Sequence, residues 1–340
     1  MVVRIPLISF GACILVLGGC GSGSTRSDVA ASVTTAPVPS STEPAAEAPG
    51  TTAAGPTPAS TAAPSSDVAP TAGSTAVVVA PSVTGSSGCS APVQPPGRQD
   101  LVITSGDRQR TIHLLVPVAY DGTTPVPLVV DYHGHGGSGR NAERQHGFDP
   151  LADEDTVVMA YPDGTITQDG KTGWHSGVGR GISDVDDVKF SADLIDAVEA
   201  RLCIDPARVF ATGHSNGGGM TGVLACELTD RFTAFAAVSA ALPKGGDCPA
   251  TMHRPLLEIH GLADTVVPYG GTAYFPAIPD WLKEWADRKG CDPTPTVDGE
   301  TSTWQGCDSP LEHVAIAGQG HEYAPGAAAR IWTFFGLPTH

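Results

Sequence analysis

Hydrophobic and polar positions fall into three regimes along the 340 residues. Residues 5–17 form one short apolar run, and residues 21–88 contain no Leu, Ile, Phe, Trp, Tyr or Met at all. From Cys89 onward, apolar runs of strand length recur between stretches of helical period. Residues 101–104 and 111–116 bracket Ser105-Gly106-Asp107 and predict a hairpin. Further strands are expected at 127–132, 157–161, 208–212, 234–239, 256–260 and 311–317. Between them lie predicted helices at 142–148, 183–202, 216–228, 279–289 and 327–335. The second of these carries Val185, Val188, Ala192, Ile195, Val198 and Leu202 close to a 3.6-residue period, with Ser183 and Asp186 expected as its capping box. Strands alternating with helices predict an α/β fold, a mainly parallel central sheet covered by helices on both faces. No sequence repeat is visible, and 89–340 is expected to fold as one domain.

The first two regimes do not belong to that domain. Arg4, the short apolar run and Leu17-Gly18-Gly19-Cys20 read as a processing signal over 1–20, and the run is too short to span a bilayer comfortably. Two small residues before Cys20 match a bacterial lipobox, in which the Cys20 thiol receives a diacylglycerol; an ordinary secretory peptide is the alternative. Residues 21–88 hold mostly Ala, Pro, Ser, Thr, Gly and Val. They cannot bury enough apolar area to offset ordering entropy, so a disordered tether is expected. The chain is therefore expected to be extracytoplasmic, touching the membrane only through a lipid on Cys20.

Composition sharpens this picture in two ways. The net charge of −17 lies mostly on the domain and argues against nucleic acid or anionic headgroups as partners. Of eight cysteines, Cys13 and Cys20 fall in the leader, which leaves Cys89, Cys203, Cys226, Cys248, Cys291 and Cys307. None shows zinc-type spacing, and an even set in an exported chain predicts three disulfides. Cys203 is expected to pair with Cys226 and Cys291 with Cys307.

The candidate chemistry sits at the ends of predicted strands. Gly213-His214-Ser215-Asn216-Gly217 is the one GxSxG of the chain, entered from a strand and left by a helix, as a nucleophile elbow requires. A serine hydroxyl is a weak nucleophile and needs a base, which in turn needs an acid to fix its tautomer. Asp264 follows the strand LLEIH through Gly261-Leu262-Ala263, and His321 follows EHVAIA through Gly318-Gln319-Gly320. Both stand at carboxyl ends of strands, where active sites of open parallel sheets lie. Glu258 and His313 lie inside strands and His260 ends one, so they read as packing or structural residues. Asp280 and Asp287 belong to an exposed helix.

An oxyanion needs two backbone donors. Asn216 supplies one, and the loop His133-Gly134-His135-Gly136-Gly137 the other, with the amide of His135 favoured and Gly136 as alternative. A zinc site on His133 and His135 lacks a third ligand; neither metal nor other cofactor is expected. Trp174, in the Gly-rich loop after the strand VVMAY, is expected to wall the substrate cleft, and His214 to contact substrate. The run Asp184, Asp186, Asp187 is read as favourable charge in a helix's first turn.

With GHSNGGGM, HGLADTVVPYGG and GQGHEYAPG in this order and DYHGHGGSG upstream, the domain resembles the polyhydroxybutyrate depolymerase and feruloyl esterase family. The resemblance implies an α/β-hydrolase fold without a large cap, with Ser215 as nucleophile, Asp264 as acid and His321 as base. Many relatives carry two cysteines after the matching Trp, where this chain has Val178, Gly179 and Arg180. The function expected is hydrolysis of carboxylic esters, of a polyhydroxyalkanoate polyester or of feruloyl or acetyl groups on polysaccharide, by a monomer. The segment between Ala240 and Arg254 leaves room only for a loop, so the site is expected to be open to bulky esters. An acyltransferase acting on envelope sugars and a non-catalytic binding lipoprotein are the rival readings.

Overall fold

Gly106 adopts φ 60°, and around it the first two strands, β1 (Gly97–Ser105) and β2 (Arg108–Val116), fold back on each other in register. They form one edge of the sheet in a computed structural model that describes residues 84–176, 185–243, 248 and 253–338. The expected leader, Cys20 and the tether as far as residue 83 lie outside the described residues, as do residues 178–180, Ser183 and Asp184.

After the hairpin come β3 (Val126–Tyr132), helices α1 (Gly139–Gln145) and α2 (Asp149–Asp155), β4 (Val158–Pro162), and a small hairpin of β5 (Thr165–Ile166) and β6 (Thr172–Gly173). Helix α3 (Asp187–Arg201), β7 (Ile204–His214), α4 (Asn216–Glu227), β8 (Ala234–Val238) and β9 (Leu256–Gly261) follow. The chain continues through α5 (Ile278–Arg288), β10 (Thr296–Asp298), β11 (Thr301–Thr303), β12 (Leu311–Ile316) and α6 (Ala327–Phe334). Ten strands make one sheet in the order β1-β2-β4-β3-β7-β8-β9-β12-β11-β10. The six from β4 to β12 in that order run parallel, and the flanking pairs are antiparallel. This is the expected α/β-hydrolase architecture.

Every residue of β3 is buried, because helices cover both faces. Leu128, Val130 and Tyr132 point into a core shared with α3, α4 and α5, while Val129 packs into the core under α1, α2 and α6. That alternation along one apolar run fixes the strand's register, since a one-residue slip would exchange the two layers. Between β8 and β9 no helix or strand occurs among the described residues.

Several expectations are corrected. The cap of α3 is Asp186, whose carboxylate accepts the Lys189 amide at 2.8 Å, so the helix begins four residues later than the pattern suggested. The packed chain begins before Cys89: Ser86 donates its amide to the Ile204 carbonyl at 2.8 Å and its hydroxyl to the Leu202 carbonyl at 2.8 Å. Cys203 pairs with Cys89, not Cys226, and Cys226 pairs with Cys248. The reason is that Cys203 enters β7 beside this incoming segment. The expected bond of Cys291 with Cys307 is present. Strands β5, β6, β10 and β11, two or three residues each, carry too few positions to show a period.

Candidate active site

Strand β7 turns into α4 through Ser215, whose backbone adopts φ 56° and ψ −118°. A serine holds so strained a conformation only where its surroundings impose it. Here the constraint is close approach of backbones. A Cβ on Gly217 would stand 2.0 Å from the Tyr132 carbonyl oxygen, and one on Gly213 would stand 2.5 Å from the Gly217 oxygen. The two glycines of the motif are thus demanded by space, and the turn lifts the Ser215 hydroxyl above the carboxyl end of the sheet.

The loops after β9 and β12 bring two further side chains to that hydroxyl. Ser215 Oγ lies 2.8 Å from His321 Nε2, and His321 Nδ1 lies 2.7 Å from Asp264 Oδ2. Asp264 is buried, and its Oδ1 accepts the amides of Val266 and Val267 at 2.9 and 2.8 Å. Those donors fix the carboxylate, so Oδ2 is aimed at the imidazole and not left to rotate. Nδ1–H donating to Asp264 leaves the Nε2 lone pair facing the serine.

The loop after β3 closes the other side. A Cβ on Gly134 would come 3.3 Å from Ser215 Cβ, so this backbone lies against the elbow. The Gly136 amide already donates to the Thr172 carbonyl at 2.7 Å, which removes it as an oxyanion donor. Among the described residues the His135 amide has no partner, nor has the Asn216 amide in the first turn of α4. The His135 ring is turned aside to Asp169, 2.9 Å away. His133 donates from Nδ1 to the Gly134 carbonyl and accepts the Gly164 amide at 2.9 Å on Nε2, so neither ring nitrogen offers a lone pair to a metal.

One expected contact with substrate is corrected. Trp174 is 1 % exposed and plugs the core: its ring meets Tyr132 edge-on at 5.0 Å, stacks with Phe190, and donates Nε1–H to the His133 carbonyl at 2.8 Å. An indole in a Gly-rich loop can point either way, and a buried partner for its N–H decides the matter. His214 has its Nε2 2.7 Å from the His321 carbonyl, so that nitrogen is engaged by the backbone of the base. Burial, with the neighbouring His321 and His146, pushes its pKa down to about 4, so it is neutral and donates that bond.

Sequence reasoning missed the side chain of Asn216. Its Oδ1 accepts the Trp174 amide at 2.7 Å, and its Nδ2 donates to the Trp174 carbonyl and to Ser176 Oγ. The residue after the elbow therefore clasps the loop that follows β6. Asp187 does the same from the other side: its carboxylate binds buried Arg110 at 2.8 Å and the His175 amide at 2.7 Å. A helix-dipole reading of that acidic run is too bland for Asp187, because its partner Arg110 lies far away in sequence.

Comparison with known proteins bears on the family and the fold. Residues 142–242, which contain the elbow, match the model of the prolyl oligopeptidase family. Feruloyl esterase B of Piromyces equi is 29 % identical over 248 residues, 67 % of this chain but 46 % of that longer protein. Feruloyl esterase C of Emericella nidulans is 30 % identical over 258 residues, covering 68 % of this chain and 87 % of its own length. The acetyl xylan esterase of Aspergillus awamori superposes with a TM-score of 0.58 at 17 % identity, over 71 % of this chain and all of that one, which is a likeness of fold. With similarity running through most of a complete relative and a serine, a histidine and an aspartate in one hydrogen-bonded line, the chain belongs to the feruloyl esterase family of serine-type carboxylic ester hydrolases.

Proposed function

We propose that the protein hydrolyses hydroxycinnamoyl or acetyl esters of polysaccharide through an acyl-enzyme on Ser215. The observation that carries this reading is the line from Ser215 Oγ to His321 Nε2 at 2.8 Å and from His321 Nδ1 to Asp264 at 2.7 Å. Ser215 Oγ attacks the ester carbonyl carbon while its proton passes to His321 Nε2, and Asp264 stabilises the imidazolium that forms. The amides of Asn216 and His135 hold the tetrahedral oxyanion. Collapse expels the sugar alkoxide, which takes the proton from Nε2. Water, deprotonated by His321, then releases the acid and restores Ser215.

The names of the curated relatives support feruloyl esters as substrate class. The absence of a helix or strand between β8 and β9 among the described residues suits a bulky, polymeric alcohol part. The three disulfides suit an oxidising compartment. We extend the reading to an extracytoplasmic monomer held by a lipid on Cys20 at the end of a tether, on the strength of the sequence of its first 88 residues.

Methyl ferulate, p-nitrophenyl acetate and a 3-hydroxybutyrate oligomer, each assayed with and without a sugar acceptor, test the proposal. Release of free ferulate irrespective of acceptor is expected. Acyl transfer in preference to hydrolysis, or turnover of the oligomer alone, sinks it.

A further inference from the structure

The acid of the proposed triad is backed by a buried row of ionisable side chains. Glu258 and His260 lie two residues apart on β9 and so face the same side, and Glu258 is in register with His313 on β12. His260 Nδ1 is 2.9 Å from Glu258 Oε1. On its other edge, Nε2 is 2.8 Å from the Val267 carbonyl oxygen and 3.4 Å from Asp264 Oδ2. The side chains of His260, Glu258 and Asp264 are wholly buried.

Each ring nitrogen of His260 therefore meets oxygens that accept. A neutral imidazole offers one N–H, and a second proton must then lie on His260 or on Glu258. Three neighbours decide for His260. Asp264 places a negative charge at its Nε2 edge. His313 Nδ1 bonds the Glu258 backbone carbonyl at 3.2 Å and stands 2.8 Å from Glu258 Oε2, so a polar N–H edge lies beside the carboxylate, while His313 Nε2 faces the Tyr269 hydroxyl at 3.0 Å. Val267 contributes a carbonyl, which accepts but never donates. Burial pushes the imidazolium of His260 down, yet Glu258 outweighs it and raises the group; burial likewise pushes Glu258 up, and His260 with His313 hold it below its usual range.

We infer that His260 is a positioning residue for the ester hydrolysis: a buried imidazolium, fixed between Glu258 and Asp264, that balances their charge and moderates the pull of Asp264 on His321. Two buried carboxylates without that cation would repel and compete for a proton. With it, one net negative charge remains behind the base. Removing the cation makes the field at His321 more negative, so its conjugate acid holds its proton to higher pH. The groups facing His260 are Glu258, Asp264 and Tyr269, the last with its ring 6.0 Å away; His313 and His321 lie one partner further on.

The inference rests on Asp264 and His321 being the acid and base, and its tests separate the two. In the full-length protein labelled with ¹⁵N-histidine, both ring nitrogens of His260 are expected to carry protons at neutral pH; the resonance is assigned by its loss in His260→Gln. An unprotonated His260 nitrogen at neutral pH overturns the inference, and needs no variant to fold. In His260→Gln that retains its fold, the acid limb of the kcat/KM profile is expected to move up by roughly half to one pH unit, with KM nearly unchanged. A limb that stays in place overturns the inference as well. Failure of the triad reads differently: full activity of Ser215→Ala removes the nucleophile while leaving the His260 spectrum as expected.

Discussion

The imidazole of His214 donates from Nε2 to the backbone carbonyl of His321 across 2.7 Å, tying the residue before the elbow to the residue that carries the proposed base. Nε2–H makes that bond in either charge state, but burial and the neighbouring His321 and His146 disfavour the cation, so the folded pKa of about 4 lies below the value near ~6.5 of an unfolded imidazole. Between those values the unfolded chain binds the extra proton, so stability falls as pH drops through that window and is constant above it. Replacing His214 by Gln keeps a donor and removes the titration. Urea midpoints of His214→Gln are expected to fall less steeply between pH 6.5 and 4 than those of the parent; equal slopes refute this account.

Ser215, His321 and Asp264 are expected to act as one unit. Ser215→Ala and His321→Ala should each lower kcat by about 10⁴ to 10⁶-fold, with the double variant barely worse and Asp264→Asn leaving a small residual rate. Asp280→Asn, on the exposed side of α5, serves as control and should keep near-normal activity. Full activity in folded Asp264→Asn shows that the acid is misassigned.

Trp174 separates packing from substrate contact. As a buried plug, Trp174→Ala should cost about 3–5 kcal/mol of stability. Trp174→Phe, which strands the buried His133 carbonyl, should cost about 1–3 kcal/mol. Denaturant titration reads both. A cleft wall behaves otherwise, raising KM with little change in stability.

The three disulfides close loops of very different size, with sequence separations of 114, 22 and 16. Chain entropy assigns about 5 kcal/mol to the largest and about 3 kcal/mol to each of the others. Replacing Cys89 and Cys203 by Ser should therefore lower Tm most, and peptide mapping without reductant should recover the Cys89–Cys203 pair. A Cys203–Cys226 peptide in that map contradicts the pairing.

The anchor is tested by Cys20→Ala, which should release the protein from the detergent-soluble membrane fraction into the medium or trap it as precursor. A processed variant that stays in the membrane excludes lipid on Cys20.

Legibility followed locality. The elbow is readable because its glycines answer a local demand, the 2.0 Å approach of a Gly217 Cβ to the Tyr132 carbonyl, so the spacing itself records the geometry. Asp264 and His321 are readable for the same reason, each a few residues beyond a recognisable strand. What escaped depends on strands distant in sequence becoming neighbours. His260 is the last residue but one of β9 and reads as a satisfied core histidine, which it is; its position behind Asp264 follows from the loop turning back so that Val267 and Asp264 meet its ring. The partner of Cys203 and the inward turn of Trp174 were equally hidden, since Cys89 and His133 approach them only after the sheet has formed.

The entry of the chain into the folded body has a practical consequence. Ser86 and Cys89 are fastened to Ile204 and Cys203, where β7 begins, whereas Ser215 follows its far end. Because β7 bulges, Ile204 stands opposite Val126 and Gly213 opposite Tyr132, so six rises of ~3.3 Å, about 20 Å, separate the start of the strand from the elbow. Coupling to a bead, an electrode or a fibre through residues ahead of Thr84 therefore grips the pole opposite the mouth, and leaves the serine facing outward to an insoluble material that cannot diffuse to it.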